Sequence, residues 1–135
     1  MTKSHTFPRT HRLRSKLDFA RVFDARVREY RGPVTLYALP NDLPHPRLGI
    51  SMSRKVGTAA RRNRIKRLLR ESFRLHQHDL PRGYDFVVTL RPHEPMLLAE
   101  YQKLMTALML KLHTTWQRRQ PPQTRPQTPP EASTE

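Results

Sequence analysis

Nine basic residues lie between Arg54 and Arg74, with Glu71 the one acid among them, and apolar residues interrupt the run at helical spacing. With Ile65 set at zero and about 100° per residue, Ile65, Leu68, Leu69 and Phe73 gather at i, i+3, i+4 and i+8 into a core-facing stripe. Asn63, Lys66, Arg67, Arg70 and Arg74 gather on the far side, within an arc of about 100°. A chain with this segment must bury one face of a helix and hold the other in water. The spacing excludes a disordered basic tail. A packed helix that fixes four cations and an amide in one array suits a phosphate backbone.

The rest of the chain points the same way. Its 135 residues, one domain's worth, carry a net charge of +15 from 26 Lys+Arg and 11 Asp+Glu. So large a charge repels itself in the compact state and favours a polyanionic partner. Nucleic acid leads and an anionic membrane surface comes second, but no apolar run approaches the roughly 18 to 20 residues that span a bilayer. The segment from Met1 to Pro8 lacks a signal peptide's apolar stretch, and the absence of cysteine excludes disulfides and thiolate chemistry. A cytoplasmic location is expected. The seven histidines form no ligand constellation, so no metal or cofactor bound by the protein alone is expected. No nucleophile-elbow serine and no Gly-rich phosphate loop is present.

Along the chain, residues 1–14 read as a flexible basic arm, 15–119 as the folded domain that carries the basic helix, and 120–135 as a disordered Pro-rich tail. Ser15-Lys16-Leu17-Asp18 resembles a capping box that opens a short helix with Phe19, Val22 and Phe23 on one face. Val34–Leu39 and Arg47–Met52 read as strands. The basic helix runs to about His76, Asp85–Leu90 is a compact and central strand, and a last helix spans about Met96 to Arg119. Leu97, Tyr101, Leu104, Leu108 and Leu112 give that helix its apolar stripe. The order argues an α+β sandwich, one sheet with helices packed on it.

The run Arg47-Leu48-Gly49-Ile50-Ser51-Met52-Ser53-Arg54-Lys55-Val56-Gly57, followed by Arg62-Asn63-Arg64-Ile65-Lys66-Arg67-Leu68-Leu69-Arg70-Glu71, resembles the signature of the bacterial ribonuclease P protein component. That family joins a Gly-x-x-x-Ser-[Lys/Arg]-Lys-x-Gly strand end to an Arg-Asn-Arg helix. The resemblance extends from Arg12-Leu13 through Asp18-Phe19 and Tyr84–Val88 to about Leu112. Met52, Arg54 and Arg61 depart modestly from it. It implies an αβββαβα sandwich, ribosomal protein S5 domain 2-like, whose basic helix lies in a left-handed βαβ crossover, against the usual hand. It also implies a short extra strand near Ala25–Tyr30.

In function the resemblance implies the protein subunit of ribonuclease P, an endoribonuclease holoenzyme that matures the 5′ end of tRNA. The catalytic groups and the Mg2+ belong to the RNA subunit. The partners implied are that catalytic RNA and the single-stranded 5′ leader of precursor tRNA, with neither a membrane nor a protein partner. Arg62, Asn63, Arg64, Lys66, Arg67 and Arg70 would contact the catalytic RNA. Phe19, Phe23, Tyr37, Ser51, Ser53, Arg54 and Lys55 would line the leader cleft.

The residues themselves leave some choices open. Arg62, beside the apolar arc, reaches either sideways to RNA or back toward the sheet. Asn63 either orients neighbouring guanidiniums or reads a 2′-hydroxyl. Phe19, Phe23 and Tyr37 are either ordinary core or stacking surface, with Tyr37 better suited to direct contact because its hydroxyl works at a wet surface. Ser51 and Ser53 alternate and so share a face with Gly49. Trp116 reads as a packing residue. A ribosomal or structural RNA-binding protein and an autonomous protein nuclease are the rival functional classes.

Overall fold

The computed structural model describes residues 11–76 and 83–119. The tail 120–135 and residues 1–10 of the basic arm lie outside the described residues. In chain order the elements are helix α1 (Lys16–Ala25), strands β1 (Arg28–Arg31), β2 (Val34–Pro40) and β3 (Arg47–Ser51), a 3-10 turn (Arg54–Val56), helix α2 (Ala59–His76), strand β4 (Tyr84–Leu90) and helix α3 (Leu98–Arg119). They form one four-stranded sheet of order β1-β2-β4-β3, antiparallel except where β3 runs parallel to β4. The αβββαβα order that the resemblance implies is the order found.

Side-chain alternation divides the sheet between two cores. Val34, Leu36 and Ala38 of β2, Phe86 and Val88 of β4 and Leu48 of β3 face α2 and α3, where Ile65, Leu69, Phe73, Tyr101, Met105, Leu108, Met109 and Leu112 meet them. Each fully buried aliphatic or aromatic side chain there stabilises the fold by about 1.5–3 kcal/mol. On the opposite face α1 lays Val22 over Val87, with Phe19, Phe23, Tyr37 and Leu39 partly buried around the pair and Leu13. β4 is buried from Tyr84 through Val88, because it lies between two strands and under helices on both faces.

The hand of the β3–α2–β4 crossover follows from the ladder. Arg91 N–H donates to Pro33 O (2.9 Å), which makes 91 and 33 a hydrogen-bonded pair. Thr89 and Val87 therefore bond toward β2, and Val88 and Phe86 bond toward β3 while their side chains face α2. For L-residues, β3 then lies to the right of β4 when viewed from α2 with both strands pointing up. The chain crosses leftward over the face that carries α2. The crossover is left-handed, as expected.

β2 extends to Pro40 and β4 begins at Tyr84, one residue beyond the sequence reading at each place, and four larger departures shape the molecule. The strand expected near Ala25–Tyr30 runs over Arg28–Arg31 because Arg26, in the left-handed region at φ 58°, caps α1 and donates to Phe23 O. The last helix begins at Leu98, after Glu100 reaches back to Leu97 N–H (3.2 Å) in a capping contact. Leu97 is consequently 74% exposed and leaves the apolar stripe, where Met105 and Met109 are buried instead. β3 ends at Ser51, so Ser53 is not in the strand: its hydroxyl caps the 3-10 turn by accepting from Lys55 N–H (3.3 Å). At the N-terminus, Arg12 and Leu13, read as part of the arm, are docked on β3. Leu13 N–H donates to Leu48 O (3.0 Å) and its side chain is buried.

Two side-chain links fasten the frame. Asp85, buried on the α1 face, accepts from Arg47 Nε (2.8 Å), Arg47 Nη2 (2.7 Å) and Asn41 Nδ2 (2.6 Å), tying β4 to β3 and to the loop after β2. That hydrogen-bonded carboxylate raises the Arg47 pKa above its ordinary value. Trp116 does more than pack: its indole N–H donates to Ala38 O (3.0 Å) beside the end of β1.

Candidate nucleic-acid interface

α2 presents the two faces that its sequence specifies. Ile65, Leu69 and Phe73 are fully buried, and Leu68 is half-buried at the margin of the stripe. Ser72, which the apolar spacing passes over, is buried too and donates to Leu69 O (2.9 Å). On the far side Asn63, Lys66, Arg67, Arg70, Glu71 and Arg74 line a concavity of about 460 Å³, and Arg12 completes it from the N-terminal segment. Sequence reasoning missed Arg12 as a site residue. Its signal was Leu13, an isolated apolar side chain in a basic stretch, which anchors Arg12 beside the helix.

Charges within this array are not equivalent. Arg74 donates to both carboxylate oxygens of Glu71, so the one acid of the helix is neutralised by the cation one turn later. The contact holds the Glu71 carboxyl below its ordinary pKa and Arg74 above its own. Arg12, Lys66, Arg67 and Arg70 carry the remaining positive charge of the concavity. Partial enclosure of the Arg70 guanidinium, and then the nearby Arg12, lower its pKa. An incoming phosphate would relieve that repulsion.

The Arg-Asn-Arg triplet divides its labour. Arg62 is half-buried, and its Nε donates to Gly57 O (3.2 Å), so it reaches back to brace the turn before the helix. Gly57 sits at φ 153°, and a Cβ there would lie 2.7 Å from Arg61 Cδ. Asn63 and Arg67 line both the first concavity and a second one of about 500 Å³, shared with Ala60, Arg64 and Leu68. Arg64 is exposed there. Asn63 thus lies between two basic depressions, and the cationic surface wraps around the exposed side of α2.

The α1 side of the sheet carries a different surface. Phe19 lies over Gly49, so closely that a Cβ on Gly49 would fall 2.6 Å from Phe19 Cζ. Phe23 meets Tyr37 edge-to-face with ring centroids 4.8 Å apart. The Tyr37 hydroxyl accepts from Arg28 Nη1 (3.4 Å), and the Arg28 guanidinium stands 5.9 Å from the ring centroid. All three aromatics are half-buried, so each is part core and part surface. Ser51, Ser53, Arg54 and Lys55 are exposed at and beyond the C-terminal end of β3.

The two surfaces meet at the outer edge of β3. A narrow groove there is lined by Arg12, Leu13, Arg14, Phe19, Leu48, Ile50 and Arg70. It brings an aromatic of the α1 cleft together with a cation of the α2 array. Among the described residues, no group of three or more His, Asp or Glu could hold a metal ion, and no helix is long and apolar enough to cross a membrane.

Comparison with known proteins agrees with this architecture. Residues 7–113 match the family described as Ribonuclease P. A ribonuclease P protein component from Methylococcus capsulatus (strain Bath) is 49% identical over 90 residues, covering 66% of this chain and 70% of that protein. The ribonuclease P protein from Thermotoga maritima superposes with a TM-score of 0.68 at 30% identity, covering 74% of this chain and 96% of the other. The Staphylococcus aureus ribonuclease P protein gives a TM-score of 0.66 at 31% identity, covering 76% and 94%.

Proposed function

The chain belongs to the ribonuclease P protein family, and on that premise we propose that its α2 face grips the catalytic RNA of the holoenzyme while the α1–sheet cleft holds the single-stranded 5′ leader of precursor tRNA. The carrying observation is the groove at the β3 edge, where Phe19 of the cleft and Arg70 and Arg12 of the basic array line one depression. One rigid sheet thereby holds two RNA-binding surfaces in a fixed relation.

On the α2 side, Asn63, Arg64, Lys66, Arg67 and Arg70 engage phosphates and 2′-hydroxyls, and Arg62 keeps the turn in place at the edge of that surface. On the α1 side, Phe19, Phe23 and Tyr37 stack on unpaired bases, each worth about 1–3 kcal/mol. Ser51 and Ser53 allow close backbone approach, and Arg54 and Lys55 supply charge at the cleft mouth. The protein acts by neutralising charge between two polyanions and by positioning the substrate. The Mg2+ and the hydrolytic groups belong to the RNA, and no protein side chain is assigned a bond-breaking step.

Reconstitution tests this reading. Protein added to its cognate RNA should stimulate precursor-tRNA cleavage at low magnesium, and protein alone should not cleave. Binding to the cognate RNA without stimulation would instead indicate a structural RNA-binding protein. Cleavage by the protein alone would indicate a nuclease.

A further inference from the structure

We propose that Tyr30, with the Arg91 guanidinium over its ring, is a base-stacking platform that extends the single-strand path from the α1 cleft to the β1 edge of the sheet. The inference rests on the leader reading above and names residues outside the set assigned to the cleft.

The register sets the path. Ser51 is paired with Thr89, Thr89 with Thr35 and Thr35 with Tyr30, so these four side chains form one row across the face that carries α1. Phe19, Val22 and Phe23 cover the next row, in which Gly49, Val87, Tyr37 and Arg28 are partners. The hydroxyl row lies beyond that cover, and at about 4.8 Å per strand spacing it runs roughly 14 Å from Ser51 to Tyr30.

The charge of this face runs along the strands. At the end where β2 leaves the sheet and β4 enters it, Asp18, Asp42 and Asp85 line a depression together with Arg21 and Arg47. Toward Tyr30 two cations stand against aromatic rings: Arg28 at Tyr37, and Arg91 at 5.7 Å from the Tyr30 centroid. Glu29, between Arg28 and Tyr30, alternates to the opposite face and pairs with Lys111 (3.2 Å). A polyanion is therefore favoured across the strands, along the hydroxyl row toward β1.

Tyr30 is 67% exposed, so its ring contributes little to either core. The backbone that carries its cation is nonetheless held firmly. Arg91 N–H donates to Pro33 O, and Arg91 O accepts from His93 Nδ1 (2.8 Å), whose other nitrogen accepts from the buried Tyr101 hydroxyl (2.8 Å). An exposed ring beneath a guanidinium whose backbone is anchored, at the end of a polar row, is a surface on which an unpaired base stacks whatever its identity.

The test is a titration of precursor tRNA onto reconstituted holoenzyme. It uses one leader of about ten nucleotides, within the range that single-strand sites span, and one of about two. Tyr30→Ala should weaken binding of the long leader about fivefold or more and leave the short leader unchanged. Tyr30→Phe should bind both as the parent does, and Arg91→Ala should reproduce part of the long-leader loss. Equal weakening on both leaders, or no weakening on either, would overturn the platform. A parent holoenzyme indifferent to leader length would overturn the leader reading and the platform with it. A length-sensitive parent matched by Tyr30→Ala would overturn the platform alone.

Discussion

Phe19 occupies the space above Gly49: a Cβ on Gly49 would come within 2.6 Å of Phe19 Cζ and 3.0 Å of Leu13 Cβ. One missing side chain thus seats both the aromatic of α1 and the N-terminal segment that carries Arg12. Gly49→Ala should push Phe19 out of the cleft and loosen Leu13, costing about 1–3 kcal/mol of overpacking strain. Chemical denaturation would measure that cost. Leader affinity should fall more than affinity for the catalytic RNA, and a variant with unchanged stability and leader binding would contradict the seat.

Asp85 is the second point on which the α1 face depends. Its carboxylate takes three hydrogen bonds, two from Arg47 and one from Asn41, in a nearly enclosed position. Asp85→Ala leaves the Arg47 guanidinium partly buried without its partner and should cost about 2–4 kcal/mol. The paired change Arg47→Met with Asp85→Leu should recover much of that loss, since a buried ion pair is replaceable by packed apolar groups. Thermal melts of the single and paired variants decide it. A paired variant no better than the single one would mean that the link does more than satisfy its own charges.

Much of this was legible in the sequence because helix and strand periodicities are local. The α2 stripe of Ile65, Leu69 and Phe73 follows from spacing, strand β2 from its run of β-formers, and the central position of β4 from its apolar character. What sequence spacing does not carry is partner identity. Arg12 joins the basic array only because Leu13 is buried against β3, a contact across a long stretch of chain. Arg74 reads as one more cation on the wheel, yet Glu71 lies three residues earlier on the same face and engages it. Ser53 illustrates a third kind of miss: alternation extrapolated past the last ladder bond put it in the strand, whereas it caps a turn. The family resemblance supplied the hand of the crossover, which no single-strand pattern encodes.

The Glu71–Arg74 contact has a pH signature. Arg74 hydrogen-bonds the carboxylate and holds the Glu71 pKa below its ordinary 4.5. A folded-state pKa that is depressed contributes stability above the unfolded value and loses it as pH falls through the folded one. The contact is therefore intact at neutral pH and fades only in acid below 4.5, while Arg74 stays charged throughout. Side-chain NMR titration should place the Glu71 midpoint below 4.5, and Arg74→Ala should move it up. A midpoint that Arg74→Ala leaves in place would show that the pair does not persist in solution.

The charge array itself makes the last prediction. Lys66, Arg67 and Arg70 lie on the exposed side of α2, away from Ile65, Leu69 and Phe73, so their joint replacement by alanine leaves the core intact and should leave the protein folded. For every phosphate no longer neutralised, the log–log salt slope of RNA binding should shrink by about 0.7 to 0.9. Holoenzyme activity should collapse at low magnesium and recover as added divalent ions take over the neutralisation. Adding Arg12→Ala to the triple variant should flatten the slope further, because Arg12 completes the same concavity although it lies far from the helix in sequence. A quadruple variant with the slope of the triple would place Arg12 outside the RNA interface. Undiminished activity of the triple variant at low magnesium would remove the α2 face from it altogether.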